Sequence, residues 1–287
     1  LLKTEDVNLE MPIEEDNWIA AIEWADSIGL DVTSTSLGYI GFDSPYPSYT
    51  WQSMDGNTCR ITIAADLAVA KGIVVVNSAG NEGFDQSHNT LGAPADGDSV
   101  ITVGAVNSIG QRSSFSSVGN TVDGRIKPDI MAMGESVVVA SVMSTVNYNL
   151  TSGTSFSCPI AAGIAALILC NNPSLTPMQV REALLNSSDR FNNPNREYGY
   201  GIPNALTALN YFPTSTGNNL INTAEFDLLQ NYPNPFNPIT NLRFSLIEKS
   251  FVSLKIYDVL GNEIADLVNE VRDAGIYNEL FSSYNRS

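Results

Sequence analysis

A serine in a glycine-containing segment has the surroundings that a nucleophile needs. Residues 153–159 read GTSFSCP, and a small, apolar stretch follows them at 160–167. This pattern predicts a helix that begins close to Ser155, where unpaired N–H groups and the helix dipole favour developing negative charge. Pro159 is expected in the first turn, where no N–H partner is needed. The alternative is a core helix that is only capped by Ser and Thr.

An asparagine in an earlier loop has the chemistry of an oxyanion donor. The β-branched run at 73–76 leads into residues 77–83, which read NSAGNEG. Ligands of parallel α/β proteins bind at the carboxyl ends of the strands, and this loop is expected there. The carboxamide of Asn81 is able to donate a hydrogen bond to the oxyanion that forms when Ser155 attacks a carbonyl. The alternative is a turn asparagine that stabilises its own loop.

Helix and strand patterns alternate over the first 212 or so residues and predict the scaffold of both loops. The predicted helices cover residues 16–28, with Asp16 as N-cap, and 62–71; the predicted strands cover 31–37, 73–76, 100–103 and 137–140. Continuous apolar strands of this kind are typical of a parallel sheet that is buried on both faces. The alternation therefore predicts an α/β fold built from β-α-β units.

The composition changes after this region. Polar residues from 213 predict a linker, and alternating apolar residues from 242 predict antiparallel strands, with a two-residue hairpin turn at Gly261-Asn262. Three prolines within 232–238 exclude a central strand there. We therefore predict an α/β domain at 1–212, a linker at 213–225 and a small antiparallel β-sandwich module at 226–287.

Four segments in order resemble the motifs of the subtilisin-like serine proteases, the peptidase S8 type. Asn81 and Ser155 stand in its oxyanion and nucleophile motifs. Residues 35–38 (TSLG) resemble its substrate-binding strand, and residues 127–129 (KPD) resemble its loop before the nucleophile, although Met133 replaces a proline of that pattern. The resemblance covers about residues 15–212.

This resemblance implies a doubly wound, mostly parallel sheet of subtilisin type and acyl transfer. Ser155 is then the nucleophile, and Asn81 and the Ser155 N–H stabilise the oxyanion. Protein or peptide substrates are the expected partners, flanked by two segments: Ser36, Leu37 and Gly38, and Ser78, Ala79 and Gly80. The alternative for these small residues is close packing between neighbouring strands.

The sequence also departs from the family. An aspartate and then a histidine precede the serine in subtilisin-like proteases, and neither motif occurs here, where His88 is the only histidine and is expected in a surface loop. A serine without its base is a poor nucleophile near neutral pH. We therefore expect a serine endopeptidase represented by its C-terminal part and nearly inert alone. The alternative is a non-catalytic surface protein that uses the cleft to bind peptides.

The tail resembles another family, the C-terminal sorting domain of type IX secretion cargo. Residues 226–238 (FDLLQNYPNPFNP) and 254–261 (LKIYDVLG) carry this resemblance. It implies contact with the secretion machinery, export across an outer membrane, and release or attachment at the cell surface. The last strands of that family are not found after Ser283. The alternatives are a generic β-sandwich spacer and an adhesion module.

Composition excludes other functions. The chain has 287 residues, with 14 Lys and Arg against 31 Asp and Glu, and a formal net charge of −17. Nucleic acid is not an expected partner, because phosphate backbones require positive charge. No apolar run approaches the ~20 residues of a membrane span, so no transmembrane segment is predicted.

Metal and disulfide sites are not assigned either. Cys59, Cys158 and Cys170 have no zinc-type spacing and are expected to be buried apolar residues. Family resemblance suggests calcium, but no ligand loop occurs, so no cofactor is assigned. The acids between Glu5 and Asp16 are expected to form a solvated face.

Overall fold

The computed structural model describes residues 1–6, 8–212, 226–228, 231, 239–258 and 260–282. These residues fall into two units, Leu1–Ser215 and Thr216–Ser287. The predicted linker at 213–225 and the prolines within 232–238 lie outside the described residues.

The larger unit alternates helices and strands. The helices are α1 (Ile13–Ser27), α2 (Arg60–Ala70), α3 (Thr154–Asn171), α4 (Pro177–Asn186) and α5 (Ala205–Leu209), and a 3-10 turn covers Trp51–Ser53. The strands are β1 (Val32–Thr35), β2 (Val74–Ser78), β3 (Ile101–Val106), β4 (Gly119–Asn120), β5 (Ile126–Lys127), β6 (Ile130–Met133), β7 (Val137–Ala140) and β8 (Tyr148–Thr151). The prediction of Asp16 as N-cap is wrong, because Pro12 precedes the helix and Asp16 lies in its first turn.

A parallel sheet with the strand order β1-β2-β3-β6 forms the centre of this unit. All residues of β2 and β3 are buried, as expected for continuous apolar strands covered on both faces. The edge strand β1 is only partly buried. The prediction of a parallel α/β scaffold is confirmed.

Helices cover both faces of the sheet. Ile73 and Val75 belong to a core that includes residues of α1 and α2, whereas Val74 and Val76 belong to a core that includes residues of α3, α4 and α5. Since neighbouring residues of a strand point to opposite faces, the two cores lie on opposite sides of the sheet. The fold is therefore doubly wound.

The run at 137–140 is not a buried parallel strand, and that prediction is wrong. Its strand, β7, pairs antiparallel with β8 in a hairpin that leads to Ser155. Val138 and Ala140 are exposed, while Val137 and Val139 are half-buried. A β-branched run predicted a strand correctly, but burial depends on neighbours that the run does not specify.

Helix α3 packs along β1, β2, β3 and β6. Among the described residues it is the helix that is long and apolar enough to cross a membrane. Its packing on the sheet is that of a core helix.

The three cysteines are free, and Cys170 of α3 is exposed, so the prediction of three buried cysteines is wrong at that position.

The smaller unit contains antiparallel strands β9 (Asp227–Leu228), β10 (Ile239–Leu246), β11 (Ser250–Tyr257), β12 (Glu263–Arg272) and β13 (Gly275–Ser282). They form the sheets β13-β10-β9 and β11-β12. Phe244, Leu246, Leu254 and Val268 form a common core. The β11–β12 turn is longer than predicted, because Asp258 N–H already bonds to Asn262 O.

Candidate active site

The structure brings Ser155 and Asn81 together. The Asn81 Oδ1 accepts hydrogen bonds from the Thr154 N–H at 2.9 Å and from the Thr154 hydroxyl at 3.0 Å. A Cβ placed on Gly153 would lie 3.8 Å from Asn81 Nδ2. The carboxamide is thus anchored to the residue that directly precedes Ser155, at the start of α3. Asn81 is exposed and Ser155 is half-buried, so solvent reaches both residues.

Thr154 determines how the carboxamide is oriented, a role that the sequence reasoning missed. Because both of its donors point at Asn81 Oδ1, the amide nitrogen Nδ2 is left to donate outward. The Thr154 hydroxyl also lies 3.2 Å from Gly80 O. Asn81 Nδ2, the Ser155 N–H and the positive end of α3 can therefore act on one developing negative charge.

Glycines allow the two loops to approach. Gly80 has φ +108° and a Cβ there would lie 2.8 Å from Ser117 Oγ, so a side chain is excluded both by backbone conformation and by space. At the other loop the Gly153 N–H donates to Gly134 O at 2.8 Å, which closes the base of the β7–β8 hairpin.

Pro159 has a different role from the one predicted. Since α3 begins at Thr154, Pro159 lies in its second turn and cannot donate the usual bond to the carbonyl of Ser155. The hydroxyl of Ser36 donates to Ser155 O instead, at 3.0 Å. The proline thus leaves the Ser155 carbonyl without its helical donor, and Ser36 attaches the end of β1 to it.

The two predicted substrate-binding segments lie next to each other. Asn77 is fully buried, and its amide donates to Leu37 O at 3.2 Å and to Ser78 O at 2.8 Å. Sequence reasoning missed this cross-link, although a polar residue in a buried apolar strand is a usable indication of one. Ser36 and Gly38 are exposed and Leu37 is half-buried.

Residues Ser78 and Ala79 are buried, and only Gly80 of this segment is half-buried. The Ala79 N–H donates to Val103 O at 3.0 Å, and Gly80 O accepts from the Ser117 N–H at 3.0 Å. The backbone of this segment is therefore held to β3 on one side and to Ser117 on the other.

The Ser155 hydroxyl has no hydrogen-bond partner among the residues that the structure describes. His88 lies in a loop, where its ring stacks on Trp51 with centroids 5.4 Å apart. Its Nδ1 is 2.7 Å from Asn89 O and its Nε2 is 3.5 Å from Asp85 Oδ2. These contacts hold the ring in its own loop.

The thiol of Cys158 lies beneath the site and is not a competing nucleophile. Burial raises its pKa to about 11. Its sulfur lies 3.3 Å from Thr35 O and 3.4 Å from Val76 O, between the ends of β1 and β2. A protonated thiol in this position packs α3 against the sheet.

The Lys-Pro-Asp motif is part of the fold rather than of the cleft. Lys127 Nζ is fully buried and donates to Val100 O at 2.8 Å and to Asp129 Oδ2 at 2.7 Å. Arg181 forms a second ion pair with Asp129. Burial alone would raise the pKa of Asp129, but the charges of Arg181 and Lys127 hold it below its usual range.

Carboxylates near the N-terminus do not form the predicted solvated face, because Glu14 and Glu15 are buried. Oxygens of Glu5, Glu10 and Glu14 lie within 4.8 Å of one another, and carboxylates are the ligands that calcium prefers. Glu14 already accepts from the Asp6 N–H at 2.6 Å and from the Met11 N–H at 3.1 Å. These two bonds hold the Glu14 carboxylate in place.

Comparisons with known proteins agree with this geometry. Residues 5–201 match the Subtilase family, Peptidase S8. Subtilisin E of Bacillus subtilis (strain 168) is 40% identical over 193 residues, which are 67% of this chain and 44% of that protein. A subtilisin of Bacillus pumilus is also 40% identical over 193 residues, which are 62% of that protein. Among solved structures, the self-cleaved protease domain of PatA is similar with a TM-score of 0.54 and 26% identity over 71% of each chain.

Proposed function

Because this chain belongs to the Subtilase family, matched over residues 5–201, we propose that it is the nucleophile-bearing part of a serine endopeptidase. One observation carries the proposal: Asn81 Oδ1 is anchored by the Thr154 N–H at 2.9 Å, directly beside Ser155. A nucleophile and an oxyanion donor within one cleft are the minimum geometry for acyl transfer. Protein or peptide chains are the proposed substrates.

In the proposed reaction, Ser155 Oγ forms a bond to the carbonyl carbon of a peptide. The negative charge on the carbonyl oxygen is stabilised by Asn81 Nδ2 and the Ser155 N–H. The C–N bond then breaks, and the serine proton is transferred through a base to the leaving amine. Water hydrolyses the acyl-enzyme and restores the Ser155 hydroxyl. Ser36, Leu37 and Gly38, on one side, and Gly80, on the other, are proposed to flank the substrate.

The described residues supply no base, so we expect the 287-residue chain to be nearly inert alone. In subtilisin the loss of the serine or histidine reduces turnover by about 2 × 10⁶. A base has to come from polypeptide outside the described residues, and the chain spans only 44% of subtilisin E and 62% of the Bacillus pumilus enzyme.

Labelling with a fluorophosphonate tests the proposal. Peptide mass spectrometry is expected to find the phosphonyl group on Ser155, at a low rate in this chain and at a high rate once a base is supplied. The variant Ser155→Ala is the control and is expected to remain unlabelled. A label on another residue, with Ser155 unmodified, contradicts the proposal.

A second candidate is a non-catalytic protein that binds peptides in the same cleft. The unpartnered Ser155 hydroxyl and the position of His88 favour it. The two candidates differ in whether a chain that also has a base for Ser155 cleaves an unfolded protein. Cleavage supports the peptidase, and peptide binding without cleavage supports the binding protein.

The tail is proposed to be a type IX sorting domain at 226–287, joined by a linker at 213–225 to the domain at 1–212. Its antiparallel sheets and its resemblance to sorting domains support this proposal, which implies export across an outer membrane to the cell surface or medium. Residues 226–287 fused to a periplasmic reporter should carry it outside a bacterium that has type IX secretion. Retention of the reporter in the periplasm contradicts the proposal, and surface binding by the isolated tail would favour an adhesion module.

A further inference from the structure

The two segments proposed to flank the substrate separate directly after the β1–β2 ladder. The last residue pair of that ladder is Thr35↔Asn77. Beyond this pair, among the residues that the structure describes, no backbone hydrogen bond joins residues 36–38 to residues 78–80. The two segments are thus neighbours that are no longer paired as strands. We call the space between them the gap.

The side-chain amide of Asn77 bridges the gap. Its Nδ2 donates to Leu37 O at 3.2 Å and to Ser78 O at 2.8 Å, one carbonyl from each segment. An amide nitrogen carries two hydrogens, so both donors are used. In a ladder that continued, backbone N–H groups of the neighbouring strand would donate to such carbonyls. Asn77 thus replaces missing ladder bonds and sets the distance between the two segments.

Asn77 is a polar residue at a position where an apolar one would be expected. It follows three valines in β2 and is fully buried. Its Oδ1 is buried as well and has no hydrogen-bond partner within the described part of the chain. A buried acceptor without a partner lowers stability. The amide is therefore explained better by the two carbonyls that it holds than by a contribution to the core.

The gap lies beside the nucleophile. Each segment contacts the first turn of α3: the Ser36 hydroxyl donates to Ser155 O at 3.0 Å, and the Thr154 hydroxyl lies 3.2 Å from Gly80 O. These contacts attach each segment to α3, whereas Asn77 joins the two segments to each other. A change in the width of the gap would therefore move the walls that face a peptide bound at Ser155.

We infer that Asn77 is a positioning residue, whose amide holds residues 36–38 and 78–80 at the separation that an extended peptide needs to place its scissile carbonyl at Ser155. This inference rests on the proposed peptidase function, in which these segments flank the substrate. Asn77 does not touch the substrate, because its side chain is fully buried. Its loss therefore impairs reactions of peptides and spares reactions of reagents that are too small to span both segments.

Two fluorophosphonates with the same reactive group test this inference on the full 287-residue chain. One carries a tetra-alanine peptide and the other only an ethyl group. In both reactions Ser155 Oγ forms a bond to phosphorus, fluoride leaves and the serine proton is released to water. The ratio of the two labelling rates therefore reports peptide positioning and cancels the reactivity of the serine. In the parent chain the peptide reagent is expected to react faster.

Asn77→Ala is expected to lower this ratio by about tenfold or more, because small displacements of a bound reactant have large effects on rate. The rate with the ethyl reagent is expected to stay at the parent value, which also shows that the variant is folded. Asn77→Leu has a side chain of similar size without a donor, so it separates loss of the cross-link from creation of a cavity. It is expected to lower the ratio as well.

Val75→Ala is the matched control. Val75 is fully buried and lies two residues earlier in β2, so it points to the same face of the sheet as Asn77. Its truncation creates a cavity and leaves the cross-link intact. It is expected to lower the thermal midpoint and to leave the ratio unchanged. A parent ratio in both Asn77 variants, or an equal fall in Val75→Ala, overturns the inference.

A crystal structure of the parent chain with the peptide reagent on Ser155 gives a readout that does not depend on the stability of a variant. The peptide is expected to lie between residues 36–38 and 78–80, with both Asn77 bonds intact. A peptide bound outside the gap overturns the inference. If neither reagent labels Ser155 in the parent, the proposed function fails and the inference with it. Labelling of Ser155 with a ratio that Asn77 does not affect contradicts the inference alone.

Discussion

Replacing the Asn81 carboxamide by a carboxylate tests the oxyanion site without disturbing the fold. Asn81→Asp keeps the oxygen that accepts from the Thr154 N–H at 2.9 Å and from its hydroxyl at 3.0 Å. It removes the N–H donor and places a negative charge where the oxyanion forms. The change therefore separates the donor function of Asn81 from its structural function.

The size of the effect follows from values established on subtilisin, to whose family this chain belongs. Without a complete triad, about 10³–10⁴-fold catalysis over water remains. Loss of the oxyanion asparagine costs about 10²–10³ in turnover. The variant should therefore retain only about tenfold acceleration over the uncatalysed reaction.

The assay is hydrolysis of an activated peptide ester by the 287-residue chain, with the uncatalysed rate in buffer as the background. Thermal unfolding is measured in parallel and should change little for Asn81→Asp. Asn81→Ala should lose both turnover and roughly 1–3 kcal/mol of stability, because the buried Thr154 donors lose their acceptor. Hydrolysis by Asn81→Asp at the parent rate, above the uncatalysed rate, would refute the oxyanion role.

Three further changes test the packing around the site. Ser36→Ala should lower the free energy of unfolding by about 0.5–1.5 kcal/mol in urea titrations. The reason is that Ser155 O then has neither the Ser36 hydroxyl nor an amide at Pro159 as a donor. Unchanged stability would contradict the attachment of β1 to α3. Gly163→Ala should raise the free energy of unfolding of the chain alone by about 0.5–1 kcal/mol, because position 163 is helical and a Cβ there meets no neighbour. A lower unfolding free energy for the variant in calorimetry would contradict the open space beside Gly163 on α3. The pKa of Asp129 is held below its usual value, so its contribution to stability is present above about pH 4 and is lost as the pH falls through the folded-state pKa. The urea midpoint should therefore fall in acid for the parent and less steeply for Asp129→Asn, which is already about 3–5 kcal/mol less stable at neutral pH; parallel pH profiles contradict this role.

Local patterns predicted the parts of the site that depend on one strand and one turn. The β-branched residues before Asn77 predicted β2. Because the Asn81 loop directly follows β2, it lies at the carboxyl edge of the sheet. The segment around Gly153 predicted the start of α3 for a similar reason. That Ser155 lies close to Asn81 was expected from the resemblance to subtilisin-like proteases, and the structure places Thr154 in hydrogen-bond contact with Asn81.

Contacts between distant segments could not be predicted in this way. Pro159 was expected in a first turn, and only the helix start at Thr154 shows that it frees Ser155 O for Ser36. The exposure of Cys170 and of the β7 residues also depends on what covers them, which hydrophobicity does not specify.

A crystal structure of the fluorophosphonate adduct tests the central claim most directly, because it shows the nucleophile and the oxyanion donor on one trapped tetrahedral group. We predict phosphorus bonded to Ser155 Oγ and a phosphonyl oxygen about 2.7–3.1 Å from Asn81 Nδ2. A phosphonyl oxygen that points away from Asn81 into solvent, or an adduct on another residue, would contradict the account.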